Sequence, residues 1–121
     1  MDLLMDRGRE ALENGDVNLA IEHFSALIDH APDFAEGYNA RATAYFQKQQ
    51  FGLSLEDIRR TLELNPRHFG ALSGLALIFE DIGRVEEALA AWREVEALHP
   101  NAQGLAESIT RLERQVEGHT L

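Results

Sequence analysis

Five histidines are the side chains of this sequence best suited to binding a metal ion, and they are His23, His30, His68, His99 and His119. No two of them are four residues apart on a predicted helix, and none is grouped with carboxylates at a spacing typical of zinc sites. His30 and His99 lie near predicted helix C-termini, where the helix dipole favours a partly charged imidazole. We therefore predict capping roles for these two, and neither a metal site nor a cofactor.

Catalytic chemistry is equally poorly supported. The chain has no cysteine, which excludes thiol catalysis and disulfides. Two pairs of adjacent carboxylates, Glu56-Asp57 and Glu86-Glu87, fall on predicted helices, where neighbouring positions point apart, and we expect them to face solvent. There is no phosphate-binding glycine loop, no nucleophile elbow and no Ser/His/Asp set that the fold would bring together. The sequence predicts no catalytic residues, and so a protein that is not an enzyme.

The charge balance limits the partners that this chain can bind. Eleven basic and 21 acidic side chains give its 121 residues a formal net charge of −10. Such a field repels nucleic acid and anionic lipid surfaces and favours neutral or basic partners. No apolar run approaches the ~20 residues that span a membrane, so we expect no direct membrane insertion.

The compartment is not determined by the sequence. No signal peptide is visible at the N-terminus. The apolar pattern already begins at Leu3-Leu4 with no polar N-cap before it, which suggests a chain cut from a longer one. Two locations stay open, the cytoplasm and, after removal of an upstream signal, the periplasm.

Three prolines divide the chain into units of equal length. Pro32, Pro66 and Pro100 are 34 residues apart, and each follows a helical-looking stretch. Proline lacks an N–H group and disfavours helical geometry at the preceding residue, so each phrase predicts the end of a helix. A fixed interval of this size indicates a solenoid built from repeated helical units.

Apolar periodicity within these units predicts seven helices. They cover residues 2–14, about 17–30, about 34–48, about 51–64, about 67–82, about 85–98 and about 102–117. Asp16 and Asp33 are the predicted N-caps of the second and third helices. The last helix carries Leu105, Ile109 and Leu112 on one face, and it has no partner helix of its own. Because a solenoid must cover its terminal apolar face, we interpret it as a capping helix.

Alignment of the units on their prolines gives a pattern similar to that of the tetratricopeptide repeat. That family has a large residue at repeat position 4, small residues at 8 and 20, aromatic residues at 11 and 24, and proline at 32. The residues at these positions are Leu4, Gly8, Ala11, Ala20, Phe24 and Pro32 in the first unit, Tyr38, Ala42, Tyr45, Ser54, Ile58 and Pro66 in the second, and Leu72, Ala76, Phe79, Ala88, Trp92 and Pro100 in the third. Ala11 and Arg41 depart from the pattern, which usually has an aromatic residue and leucine there. We expect Trp92 to be buried between helices.

The resemblance implies an all-α fold, a TPR-type α-solenoid with three antiparallel helix pairs in a right-handed superhelix and one capping helix. It predicts one domain over residues 1–121, with repeats at about 1–34, 35–68 and 69–102 and the cap at about 103–117. Proteins of this family bind peptides or partner proteins on the concave face, which the first helix of each repeat lines. The positions that we expect to contact a ligand here are Met5, Arg9, Leu12, Asn39, Thr43, Phe46, Ser73 and Leu77.

One subgroup of the family holds the C-terminal carboxylate of chaperones in a clamp of lysine, asparagine and arginine. The corresponding positions here are Met5, Arg9, Gly70 and Gly74, which would lose most of the charge-assisted bonds. Glu80 and Asp81 instead place negative charge near one end of the predicted face. The resemblance therefore predicts an adaptor for a neutral to basic peptide or protein with an apolar anchor.

Self-association is the alternative that the sequence leaves open. Leu3, Leu4 and Met5 lie near an edge that no preceding helix covers. Since three repeats bury only a modest core, pairing with a second copy would add stability. A homodimerisation module, within a larger protein that is either cytoplasmic or exported, is therefore the second hypothesis. Bacterial proteins of this family and size resemble the chain.

Overall fold

The computed structural model describes the backbone of residues 2–120 and the side chains of residues 3–118. Over that range the chain forms seven α-helices and no strand. Their bounds are Asp2–Glu13 (α1), Val17–His30 (α2), Ala35–Gln47 (α3), Phe51–Leu64 (α4), Phe69–Asp81 (α5), Val85–Leu98 (α6) and Leu105–Thr120 (α7). The all-α class is confirmed, and the helices fall into two compact units, Met1–His68 and Phe69–Leu121.

The first unit contains α1 to α4, with each helix packed against the next. Its core cluster centres on Phe24 and Leu27 of α2, which no solvent reaches. The approach of α1 to α2 is close at Gly8, where an added Cβ would lie 2.2 Å from Cε1 of Phe24. The small residue expected at repeat position 8 is therefore required here by direct contact with the ring.

The second unit contains α5, α6 and α7, and α6 packs against both of the others. Leu105, Ile109 and Leu112 of α7 are buried, in agreement with the amphipathic pattern. Arg93 of α6 also donates to the Glu113 carboxylate of α7, at 2.9 Å. The final helix is thus held to α6 by an apolar face and a surface ion pair.

The three proline loops have the same backbone geometry. In each, an N–H donates to the carbonyl three residues earlier, from Phe34 to Ala31, from His68 to Asn65, and from Ala102 to His99. The residue immediately before each proline is the C-cap of the preceding helix, and its backbone N–H donates to the carbonyl four residues back. The predicted helix stops are confirmed, because the same hydrogen-bonded turn recurs every 34 residues.

Only one of the two predicted N-caps is present. Asp16 accepts a hydrogen bond from the backbone N–H of Leu19 at 3.3 Å, as an N-cap should. The prediction for Asp33 is wrong, because α3 begins one residue later and its N-cap is Phe34, which makes no side-chain capping bond. The Asp33 carboxylate instead lies 3.9 Å from Arg60 of α4.

Within each repeat, the two helices are joined by a turn that needs one left-handed residue. Gly15, Gln49 and Gly83 occupy this position with φ values of 81°, 59° and 81°. At all three turns the following N–H donates to a carbonyl five residues earlier, which is the Schellman arrangement. Gln49-Gln50 is a weak turn signal in the sequence because a side chain stands where the other two repeats have glycine.

Replacing Gln49 with glycine is expected to raise the free energy of unfolding by roughly 0.5–1 kcal/mol. A side chain in the left-handed region costs about 1–2 kcal/mol, and part of the gain is offset by the greater freedom of glycine in the unfolded chain. Urea denaturation followed by circular dichroism measures the difference. Gln50→Gly is the matched control, because Gln50 has a φ of −88° and should gain nothing. If the two substitutions changed the free energy of unfolding equally, the left-handed conformation of Gln49 would not be the source of the gain.

Candidate functional site

The predicted contact residues of the first helix are not equally accessible. Arg9 is exposed and Leu12 is half-buried against the core cluster. Met5 is only 7% exposed and belongs to that cluster with Ala40 and Ala44 of α3. A side chain packed in this way supports the helix and has little surface left for a ligand.

The predicted contact residues of α3 are partly engaged within the helix. The Asn39 amide donates to Glu36 at 3.3 Å, and the Thr43 hydroxyl donates to the backbone carbonyl of Asn39 at 3.1 Å. Phe46 is half-buried, with its ring centroid 5.6 Å from that of Phe51. Thr43 is the exposed member of this group.

A buried ion pair joins α3 to α4 in the same unit. Arg41 donates two hydrogen bonds of 2.8 Å to the Asp57 carboxylate, and a third to the Ser25 hydroxyl of α2 at 3.2 Å. Asp57 is 5% exposed, so the prediction that it faces solvent is wrong. The hydrogen bond to Asp57 raises the pKa of Arg41, against the opposing effect of burial. The guanidinium therefore stays charged across the working pH range.

In the second unit the predicted residues Ser73 and Leu77 line a cleft of about 380 Å³. Helix α5 contributes Phe69, Ser73 and Leu77 at spacings of four, which puts them on one helix face. Phe69 is 40% exposed and Leu77 is 44% exposed, whereas Val95 of α6 and Leu105 of α7, which also line the cleft, are buried. Exposed apolar side chains above a buried apolar floor are typical of a site that takes an apolar group.

The hydroxyl of Ser73 stands out in this cleft. Its Oγ atom is buried and is the single side-chain polar atom of this kind without a hydrogen-bond partner among the residues that the structure describes. Ser73 lies midway between Phe69 and Leu77 along the exposed face of α5. A buried polar atom without a partner is uncommon in folded proteins, so the position of this hydroxyl in the cleft calls for an explanation.

One end of the cleft is closed by a charged residue that links all three helices. Glu80 of α5 accepts a 2.6 Å hydrogen bond from the indole N–H of Trp92 and a 2.8 Å bond from Arg111 of α7. Its side chain is 17% exposed, so Glu80 is an internal partner more than a free negative charge. Trp92 is half-buried, not fully enclosed, and it lines the cleft.

Sequence reasoning placed Ser73, Leu77 and Glu80 on this face and missed Phe69, Trp92 and Arg111. The available signals were weak. Phe69 precedes the periodic core of its helix, and Trp92 occupies a position that usually lies in the core. Arg111 falls on the polar face of α7, and its sequence position does not indicate that it reaches back to α5.

Two histidines, His68 and His99, make defined contacts in the described part of the chain, whereas His30 is the last residue of α2 and the C-cap of that helix is Ala31. His68 Nε2 lies 2.8 Å from Glu36, and the His99 ring meets Phe69 edge-on at 4.7 Å between centroids. His99 is also the C-cap of α6, through its backbone N–H. Among the residues described, no three histidine or carboxylate side chains are placed to hold a metal ion. The His119 side chain lies outside them.

These features define an all-α helical repeat protein, with helix pairs joined by equivalent turns and small residues at the closest helix contacts. The family follows from sequence comparison, since the tetratricopeptide repeat matches residues 5–56 and 39–103. The chain belongs to the tetratricopeptide repeat family, as its pattern predicts. Over the described residues, no helix is long and apolar enough to cross a membrane.

Proteins of several organisms are similar to this chain in sequence. A TPR repeat-containing protein of Rhizobium etli is 33% identical over 119 residues, which cover 98% of this chain and 58% of the relative. Sperm-associated antigen 1 of Mus musculus is 28% identical over 111 residues, 92% of this chain and 12% of the relative. The chain thus spans little more than half of the bacterial relative and a small part of the mouse one.

Solved structures show the same fold at lower identity. The first TPR of Spaghetti (RPAP3), bound to the HSP90 peptide SRMEEVD, has a TM-score of 0.90 and 22% identity, covering 95% of this chain and 91% of that one. The Arabidopsis OM64 TPR domain has a TM-score of 0.89 and 20% identity, covering 94% of both chains.

Proposed function

We propose that this protein is a protein–protein interaction adaptor that binds a peptide or partner protein, with one contact surface on α1 and α3 of the first unit and another on α5 of the second. The observation that carries the proposal is the cleft of the second unit, where Phe69 and Leu77 are exposed above a buried apolar floor. Arg9 and Thr43 are accessible contacts in the first unit. Asn39, Leu12 and Phe46 are partly accessible, and Met5 supports the helix beneath them.

Structures of related folds support peptide binding as the general activity. The first TPR of Spaghetti (RPAP3) holds an HSP90 peptide, and the TPR2B domain of yeast Sti1 was solved as a pHsp70 complex. The acidic chaperone tail is not the ligand that we propose for this chain. Where the clamp would have cationic or amide side chains, Met5 is buried and Gly70 and Gly74 have no side chain.

The proposed ligand is a neutral to basic segment with an apolar anchor. The anchor matches the exposed apolar face of α5, and the basic character matches a protein of net charge −10. We further propose a non-enzymatic role that needs no cofactor, since the groups lining the cleft are arranged for contact and Glu80 is already paired with Trp92 and Arg111.

A pull-down from native cell extract with matched variants tests the adaptor role. Leu77→Glu places a charge in the cleft, and Thr43→Glu places one on the exposed face of α3. Leu53→Glu is the control, because Leu53 is exposed to a similar degree on the second helix of its repeat. We expect the partner to bind the intact protein and the control and to be lost with Leu77→Glu. A partner retained equally by all three variants would contradict a site on the first helices.

A second experiment, light scattering, separates the adaptor role from self-association. Of the three apolar residues at the start of α1, Leu3 is exposed, Leu4 is half-buried and Met5 is buried. Light scattering across a concentration series measures the mass of the intact protein and of a Leu3→Glu variant. A dimer that only the intact protein forms, with no captured partner, would make self-association the better account.

A further inference from the structure

We propose that the cleft of α5, α6 and α7 binds one bulky apolar side chain of a peptide, and that a neighbouring basic residue of the peptide replaces Arg111 at the Glu80 carboxylate. This inference rests on the proposed adaptor function, and it specifies the part of the ligand that the second unit recognises. Phe69 and Leu77 would flank the apolar side chain, with Val95 beneath it.

The apolar half of the inference follows from what the cleft exposes to water. Phe69 and Leu77 lie two turns apart on α5 and are among the most exposed large apolar side chains described in the second unit. The cleft that they help to line has a volume of about 380 Å³, which is within the range of small ligand sites. A ligand side chain placed there would remove both residues from water, and this burial is the main driving force for such contacts.

The charged half follows from the two unequal bonds at Glu80. The indole N–H of Trp92 comes from a half-buried ring on α6, so it holds one carboxylate oxygen in place. Arg111 holds the other oxygen from a long side chain that is 50% exposed. An exposed arginine of this kind gains little from its ion pair and loses little when another cation takes over the same oxygen. Glu80 is thus oriented by Trp92 and available for exchange at its second oxygen.

The net charge of the second unit favours a cation over an anion as its ligand. Residues 69–121 carry nine acidic side chains and four arginines. Arg84, Arg93 and Arg111 are paired with glutamates. A basic ligand residue is attracted by the carboxylates that remain in excess, whereas an acidic one would meet net repulsion. Arg111 would then be released towards solvent, where its charge is well hydrated.

Trp92 makes the proposal directly measurable, because it is the single tryptophan of the chain and lines the cleft. The probes are three synthetic peptides that differ at two central residues, Ac-Gly-Ser-Phe-Arg-Ser-Gly-NH2, its Phe-Glu counterpart and its Ala-Arg counterpart. We expect the Phe-Arg peptide to shift the tryptophan emission and to bind more tightly than both others, by calorimetry as well as fluorescence. Equal affinity for the Phe-Arg and Phe-Glu peptides, or no binding at millimolar concentration, would overturn the inference.

Two charge variants test the exchange at Glu80. Arg111→Gln removes the internal competitor and should raise affinity for the Phe-Arg peptide roughly two- to fivefold. Arg114 is on the same helix but outside the cleft, so Arg114→Gln removes an equal charge and should change the affinity for the Phe-Arg peptide less. Glu80→Gln should abolish the preference for Phe-Arg over Phe-Glu. The exchange would be refuted if Glu80→Gln kept the preference for Phe-Arg over Phe-Glu, or if the two arginine variants changed the affinity equally. Circular dichroism verifies that each variant is folded.

Failure of this inference can be distinguished from failure of the adaptor function. Calorimetry could show that the Phe-Arg peptide binds without changing the Trp92 emission, and that it binds the Leu77→Glu variant as tightly as the intact protein. The peptide would then bind outside the cleft. That result overturns the inference and leaves the adaptor role standing. If the peptides do not bind while the extract yields a partner that Leu77→Glu loses, the cleft takes a different chemistry and the inference is again wrong. Absence of both peptide binding and a captured partner would contradict the two proposals together.

Discussion

Substitution of Asp57 by alanine is expected to lower the free energy of unfolding by about 3 kcal/mol. The reason is that Arg41, which makes two 2.8 Å bonds to this carboxylate, would be left as a mostly buried charge with only its hydrogen bond to Ser25. Breaking a buried ion pair from one side costs about 3–5 kcal/mol, and the lower end applies because Arg41 retains 23% exposure. Urea denaturation at neutral pH measures the loss.

A double-mutant cycle identifies the cause of that loss. Arg41→Leu restores the residue usual for the repeat, and combined with Asp57→Ala it should recover most of the stability, since an apolar pair removes the desolvation cost of both charges. Arg59→Ala is the surface control. It removes an exposed pair with Glu63 and should change stability by less than about 0.5 kcal/mol. If the double variant were as unstable as Asp57→Ala, the loss would not come from the unpaired arginine.

Substitution of Phe24 by alanine is expected to cost about 3–5 kcal/mol, because its ring is fully buried at the centre of the first unit's core. Phe24→Ala should also reverse the sign of the stability change that Gly8→Ala causes. In the intact protein Gly8→Ala places a Cβ 2.2 Å from the Phe24 ring, and relieving that overlap should cost more than the roughly 1 kcal/mol gained in helix propensity.

With Phe24 already replaced by alanine, the obstruction is gone and Gly8→Ala should stabilise by up to about 1 kcal/mol. Thermal and urea unfolding of the two single variants and the double variant measure this coupling. Gly52→Ala on α4 is the control, because an added Cβ there meets nothing within 4 Å and should be neutral or stabilising in either background. If the effects of Gly8→Ala and Phe24→Ala were additive, the Phe24 ring would not be what makes a Cβ at position 8 unfavourable.

The helices could be predicted closely from the sequence because their signals are local. The segments α2, α4 and α6 end at the residue predicted, since a proline two residues beyond each helix end excludes continuation of the helix. The repeat family was equally readable, because a 34-residue period places small and large residues at equivalent positions. Asp33 shows the limit of such signals, because the helix begins one residue later than the capping preference indicates.

The candidate site was less predictable, because it depends on side chains that are distant in sequence. Ser73 and Leu77 were placed on the correct face by helical spacing alone. That spacing contains no information on Arg111, which lies 31 residues from Glu80 and yet shares its carboxylate. It also gives no warning that Met5, on the same nominal face as Arg9, packs into the core.

The sequence by itself determined the order, length and class of the helices, and with them the family, because hydrophobic period, proline spacing and small residues act within one repeat. Only the tertiary structure decided which polar side chains are paired and which apolar ones stay exposed. Asp57 is buried because Arg41 stands opposite it on another helix. Phe69 and Leu77 stay exposed because α6 and α7 leave a cleft beside them. Contacts between helices depend on distance in space, which a residue's place in the chain does not specify.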